Sequence, residues 1–375
     1  MTEQETLCML ALTRVPALNP AALRLLVGEM GSATAVFEGR KQLREVLPTA
    51  GKHTLEALAS MDSHMERARQ ELEFCRQNNI RLLGLHDESY PQRLRDCPDA
   101  PVLLYYMGTA DLNVRHVVSI VGTRQITPYG KDLCHSFVRD LHGLCPDVLI
   151  VSGLAYGVDI HSHRAALEEG LDTVGVLAHG LNQIYPPHHR DTATRMLSQG
   201  GLLTEYMSGT AIDKRNFVQR NRIVAGMADA VVVVESAEKG GSLITADIAQ
   251  SYDRPVWAFP GRIFDTHSSG CNRLIGTNRA SLLTGAEDFC RTMGWADDMQ
   301  HRQMLSQGVQ QEFLADFTDE ERRVLQLLSQ ADEKQANILS VEADIPMNRL
   351  TSLLFTLEMK GAVQMLAGGK YRIRH

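Results

Sequence analysis

Four short segments of this chain carry residue types suited to gripping an anion. The densest is DKRNFVQRNRIVAG, where Lys214, Arg215, Arg220 and Arg222 fall within nine residues with no acid between Lys214 and Arg222. At helical spacing Phe217 shares a face with Arg220 and Asn221, three and four residues on. A ring among cations is what a single nucleic-acid strand needs, because a base stacks on the ring while the charges hold phosphates. The same spacing fits a core phenylalanine with arginines paired to carboxylates, and spacing alone leaves both readings open.

The other three segments are glycine turns. In SIVGTRQITPYG, Gly122 permits a sharp turn, Thr123 and the following N–H groups can face an anion at a helix start, and Arg124 adds a fixed charge. In SGLAYGVDIHSH, Ser152, Gly153 and Gly157 form a second such turn, with Asp159 placed to cap a helix. In EKGGSLITA, Lys239, Gly240, Gly241 and Ser242 lead into a helix whose N-terminus favours negative charge. A plain strand-to-helix turn is the bland reading of each. Lined up along one sheet edge, they predict phosphate contact. The first is not GxGxxG, so a dinucleotide has little support and no cofactor is expected. A later loop, PGRIFDTHSSGCNRLIG, adds Gly270, Asn272 and Arg273.

Metal chemistry finds no footing. His161 and His163 stand two apart and share no helix face, and no HExxH or CxxC accompanies them. Hydrogen bonding within the fold is the better role for Asp159 and His163. The seven cysteines (8, 75, 97, 134, 145, 271 and 290) are scattered and odd in number, which fits a reducing compartment.

The elements that must position these loops follow from periodicity. Apolar runs at His116–Val121, Val148–Ser152, Thr173–Ala178, Ala230–Glu235 and Pro255–Phe259 alternate with helical stretches at Lys131–Leu141, His161–Glu169, Thr192–Leu197 and Ser242–Ser251. That alternation predicts an α/β fold with a parallel sheet covered on both faces, and ligands bind beyond the carboxyl ends of such strands. Before it, Thr6–Leu12, Pro20–Met30 and Leu43–Ala59 read as short helices, with Asn19-Pro20 as a helix start and Gly28 and Gly31 closing a turn. After it, glutamine-rich 294–315 reads as a linker. Helical stretches Asp319–Gln330, Lys334–Val341 and Pro346–Met359 then precede strands Ala362–Leu366 and Lys370–Ile373, joined at Gly368-Gly369. The expected domains are a helical one of helix-hairpin-helix or SAM-like type (1–75), an extended Rossmann-like core (76–293), the linker, and a winged helix (316–375).

The 375 residues carry a net charge of -7, which argues against coating nucleic acid by bulk charge but not against a local basic patch. No signal peptide and no run of ~18 apolar residues is evident, so no membrane partner is expected and the cytoplasm is the expected location.

Taken in order over about 170 residues, Gly122-Thr123-Arg124, SGLAYGVDIHSHRAAL, FVQRNRIVAG, EKGGSLITA and FPGRI followed by SGCNRLI closely resemble the DprA/Smf family. The resemblance implies a protein that binds single-stranded DNA in a basic pocket of an extended Rossmann domain and dimerises through that domain. It also implies that the protein loads RecA recombinase in the presence of single-strand-binding protein during natural transformation. Position by position, Arg124 fits the family's phosphate-binding arginine, Lys214 its lysine, Phe217 its base-stacking aromatic, and Gly240 falls in its glycine loop. The chain departs from the family where Tyr156 replaces an arginine, which either removes a phosphate contact or adds a stacking surface. Val218 stands where a proline is frequent, and Met207-Ser208 where two prolines are usual.

Two rivals stand beside this reading. A nucleoside-monophosphate phosphoribohydrolase on a similar Rossmann variant needs a glutamate that KGGSLITADI lacks, leaving Glu235 and Asp247 as the nearest carboxylates. No catalytic residue is therefore expected. A transcription factor would read duplex DNA with its winged helix. Yet Asp316 to His375 holds nine acids against eight Lys/Arg, a poor balance for attracting phosphate, and a protein contact fits better.

Overall fold

The computed structural model describes residues 1–16, 18–40, 51–295, 317–328, 334–360, 362–366 and 369–373. Polar caps start the N-terminal helices. Thr2 accepts the Glu5 N–H at the head of α1 (Glu3–Thr13), and Asn19 accepts the Ala22 N–H at the head of α2 (Pro20–Met30). α2 runs through Gly28 and ends on Gly31 at φ 82°, so Gly31 closes the turn and Gly28 does not. The Glu5 carboxylate receives the first N–H groups of α3 (Ala33–Gly39). α4 (Lys52–Ala59) and α5 (Asp62–Gln77) follow; residues 43–50 of the expected third helix lie outside the described residues.

The chain then lays down β1 (Arg81–Gly84), a single turn α6 (Gln92–Arg95), β2 (Leu103–Gly108) and β3 (Val117–Val121). From there strand and helix alternate: α7 (Pro128–Leu144), β4 (Leu149–Ser152), α8 (Val158–Glu169), β5 (Thr173–Val176), α9 (Arg190–Met196) and β6 (Gly200–Thr204). α10 (Lys214–Gly226), β7 (Ala230–Val233), α11 (Gly241–Ser251), β8 (Val256–Ala258), α12 (Ser269–Gly276), β9 (Ser281–Leu282) and α13 (Ala286–Thr292) complete the series. The sheet order is β1-β2-β6-β5-β4-β3-β7-β8-β9, parallel from β6 to β9 and antiparallel at β1, β2 and the β2–β6 pair. All five predicted strands are present, trimmed by one or two residues where the chain leaves the ladder.

The strands buried on both faces are Val- and Ile-rich, as a sheet covered by helices demands. The antiparallel flank was not legible. β6 opens with two glycines that read as a turn, yet these glycines are what the pairing requires. Gly200 sits at φ 127°, and a Cβ there would lie 1.9 Å from the Thr173 carbonyl oxygen.

Stepping outward from β3, the chain places β4, β5 and β6 on one side and β7, β8 and β9 on the other. The chain therefore turns to opposite sides after β3 and β7, the point on the carboxyl edge where ligands of such sheets bind, and the Thr123 N–H joins the two loops there by donating to the Glu235 carbonyl. The N-terminal helices do not form a core of their own. Leu10, Leu26 and Met61 bury with Leu103, Tyr105 and Met207 of the sheet region, and Met1–Ala296 make one unit.

A second unit, Asp297–His375, has its own core of Val324, Leu325, Leu339, Leu350, Leu354 and Leu357. It contains α14 (Asp319–Leu328), β10 (Lys334–Gln335), α15 (Ala336–Ala343), α16 (Met347–Met359), β11 (Val363–Leu366) and β12 (Lys370–Ile373). Lys334 and Gln335, expected to be helical, instead pair with Tyr371 and Lys370, giving the order β10-β12-β11. Gly368 of the expected turn and residues 296–315 of the expected linker lie outside the described residues. Among the described residues no helix is long and apolar enough to cross a membrane.

Candidate functional site

The site assembles at the carboxyl edge because α10 starts there. Asp213 caps its first turn by accepting the Arg215 N–H at 2.8 Å, which places Lys214 and Phe217 in the first turn of the helix. Lys214 is exposed and Phe217 half-buried. The Arg124 guanidinium, from the loop after β3, lies over the Phe217 ring with its carbon 5.5 Å from the centroid. Among the described residues no carboxylate pairs with Arg124 or Lys214, so both charges are available to an anion. Tyr185, in the loop after β5, meets Phe217 edge to face at 5.8 Å and 61°. A cation above a ring, a second ring beside it and a free lysine make a surface for a planar base joined to a phosphate.

Several groups of the glycine loops are engaged within the fold. The Thr123 N–H donates to the Glu235 carbonyl at 2.7 Å, the Gln125 N–H to Thr123 Oγ1 and the Thr127 N–H to the Glu235 carboxylate. Those amides are therefore spoken for, and Arg124 alone of that turn projects a charge. A Cβ on Gly122 would strike Val158, so this glycine admits α8 to the strand end. Ser152 is fully buried and donates to the Ile120 carbonyl at 2.6 Å. Gly153 makes room for Arg220, whose guanidinium would crowd any Cβ there.

Arg220 and Arg222 are the main corrections. Arg220 is 3% exposed and donates to the carbonyls of Gly153 and Val176, while its Nε reaches Asn221 Oδ1 at 3.3 Å. Burial pulls its pKa down and raises that of buried Asp159, each opposed by the other's charge. Arg222 is 5% exposed and held by the Glu205 carboxylate and the Asp99 carbonyl. Neither guanidinium faces a solvent-borne phosphate; both tie α10 to the sheet. The half-buried Asn221 accepts from Arg220, and Arg215 is exposed but paired with Asp213. The physical reason is the helical period: α10 is half-covered, so positions on its inner face bury whatever the sequence supplies.

Lys239 is exposed beside Gly240 and Gly241, and α11 begins there with no side-chain cap. The Gly240 N–H turns inward to the Ala237 carbonyl, and Ser242 is buried, donating to Ser236 Oγ at 2.9 Å. Asn272 bonds both backbone groups of Gly261, and Arg273 binds Glu238, so the loop after β8 is internally braced.

The residues of the rival readings are engaged elsewhere. Glu235 is buried and caps α7 through Thr127, and Asp247 pairs with Arg279 on the surface. His163 is buried with Nδ1 2.7 Å from Thr173 Oγ1, and Asp159 accepts the N–H groups of Gly153 and Ala155. Burial, helped by His189 and Arg220, pushes the His163 pKa down to about 3. No cluster of metal-ligating groups exists among the described residues. Tyr185 was missed: a lone tyrosine before Pro186-Pro187 gives no periodic signal, and only its position after a strand end marks it.

Fold and site together define an α/β protein with a mostly parallel sheet, whose carboxyl edge carries Arg124 over the Phe217 ring with Tyr185 beside it. Residues 81–294 match the family described as DNA recombination-mediator protein A. The chain is 39% identical over 202 residues to DNA processing protein DprA of Streptococcus pneumoniae, covering 54% of this chain and 70% of that one. It is 31% identical over 309 residues to Protein Smf of Escherichia coli, covering 80% and 79%. The X-ray structure of DprA from S. pneumoniae superposes with a TM-score of 0.57 at 30% identity, over 72% of this chain and 96% of that one. A DprA from Helicobacter pylori, whose structure concerns a single-stranded DNA binding mode, superposes at 0.51 and 29% identity, over 57% and 95%. The chain belongs to the DprA/Smf family.

Proposed function

We propose that this protein binds single-stranded DNA at the crevice formed by Arg124, Lys214, Phe217 and Tyr185, and that it acts there as a recombination mediator rather than as a catalyst. The observation that carries the reading is the Arg124 guanidinium over Phe217 with no carboxylate partner among the described residues. In water an exposed cation on a ring is a modest interaction, but it places charge and stacking surface within one nucleotide of each other. The H. pylori relative's single-stranded DNA binding supports the assignment. Lys239 and the uncapped start of α11 extend the anion-binding edge, with Gly241 open to the approach of a backbone. Recognition through phosphates and ring faces is tolerant of sequence, and affinity falls as salt rises.

Fluorescence anisotropy with oligo-dT and with duplex DNA tests this. The wild type should prefer the single strand, and Lys214→Ala/Phe217→Ala should lose it while keeping the fold. The stacking share is about 1–3 kcal/mol. Equal binding of duplex and single strand by the wild type would sink the proposal.

The finer reading rests on family membership. Two copies would present two crevices to one long strand and gain avidity. RecA assembly on strands coated with single-strand-binding protein should then rise with the wild type and not with the double variant. We read the C-terminal unit as a winged helix that contacts protein. Its candidate recognition-helix cations are engaged, Arg349 by Glu320 and Lys360 by Glu321, while Val341, Phe355 and Met359 are exposed.

A further inference from the structure

Tyr156 stands in the loop after β4, at the same edge as Arg124 and Phe217. The residue is 44% exposed, and its ring meets His189 edge to face at 5.0 Å and 72°. His189 is itself buried and fixed, with Nδ1 2.9 Å from the Leu154 carbonyl oxygen. An edge-to-face contact leaves at least one face of the tyrosine uncovered by the imidazole. The ring is thus fixed on one side by His189 while nearly half of the residue stays exposed.

The backbone places this ring beside the site. A Cβ on Gly157, the next residue, would lie 2.1 Å from the Thr123 carbonyl oxygen and 2.7 Å from Arg124 Cα. The Val158 N–H donates to the same Thr123 carbonyl at 3.1 Å. Tyr156 therefore sits one residue from direct contact with the Arg124 backbone, whose guanidinium covers Phe217. On the far side Tyr185 is 39% exposed and abuts Phe217. Two exposed tyrosines thus stand on the loops that border Arg124, whose charge no carboxylate neutralises among the described residues.

We propose that Tyr156 is a second base-stacking platform, holding the nucleobase next to the one stacked on Phe217. The inference rests on the single-stranded DNA reading given above. Because the contact is a ring face and not a charge, it separates cleanly from phosphate binding: removing it costs affinity without changing the number of counterions released.

The test is anisotropy of labelled oligo-dT with the full chain across a series of salt concentrations. Tyr156→Ala and Tyr156→Leu should each weaken binding about tenfold with an unchanged slope of log K against log salt. Tyr156→Phe and Tyr156→Trp should bind like the wild type. Arg124→Ala should shift the slope by about 0.7. Leucine binding as well as tyrosine would show that apolar bulk suffices and overturn the stacking role. So would an affinity loss in Tyr156→Phe equal to that in Tyr156→Ala, since it would assign the effect to the hydroxyl. An unaltered Tyr156→Ala would overturn the inference and leave the Phe217 site intact. A wild type that does not bind oligo-dT would remove the site reading and this inference together.

Discussion

Arg124 and Arg220 feel one another's charge and do opposite things. Arg124 reaches outward over a ring, whereas Arg220 points inward at two carbonyls and holds the ends of β4 and β5 to α10. Arg220→Ala leaves those buried carbonyls without a donor, at about 1–3 kcal/mol for each unsatisfied group, and should lower the melting temperature markedly. Lys214→Ala, at an exposed residue with no ion-pair partner among the described residues, should leave melting unchanged and weaken only DNA binding. Paired thermal melts and titrations check this; equal melting losses would mean that Lys214 is structural. The sequence shows four cations at α10 but not which way each faces. Facing depends on how far the helix sinks into the sheet, and that is set by Gly153, whose missing Cβ makes room for Arg220.

At the scale of elements, the site is a junction between loops that lean on each other. Gly157 has φ 78°, a region costly for residues with a Cβ, and it packs on the loop after β3. Gly157→Ala should cost about 1–3 kcal/mol of stability from backbone strain, with the steric clash in addition. It should also weaken single-strand binding by pushing Tyr156 and Arg124 apart. A melt and a titration on the same sample report both, and unchanged binding would show that the loops act separately. The parallel strands and their helices were legible because Val/Ile runs separated by helical periods have few other solutions. β1, β2 and β6 were not. They pair antiparallel or begin on glycine, and their partners are distant in sequence, as Tyr105 opposite Thr204 shows.

For the whole molecule, charge and burial set the dependence on pH. The His163 pKa is about 3 in the folded chain against an ordinary 6.5. An unfolded chain takes up this proton as pH falls through 6.5, and the folded one does not until about 3. The stability is therefore fully present above 6.5 and is lost on acidification at about 1.4 kcal/mol per pH unit. His161, lowered to about 4 chiefly by burial, adds in the same direction. Melting temperature should fall between pH 6.5 and 4, and His163→Gln should flatten that fall. A variant as steep as the wild type would place the titration elsewhere. The two units have separate cores, so a chain ending at residue 296 should keep its melting transition and its single-strand affinity. Loss of binding on that truncation would move the site into the C-terminal unit.

The buried Glu71 carboxylate of α5 receives the Ser208 N–H at 2.7 Å and the Ser208 hydroxyl, while Arg67 holds the Ser208 carbonyl at 2.7 Å. Ser208 lies five residues before Asp213, the cap of α10, so the helical layer grips the segment that delivers Lys214 and Phe217 to the crevice. A molecule that bound the helices and shifted α5 would alter affinity for a strand at the crevice, and the strand would alter affinity for that molecule by the same factor.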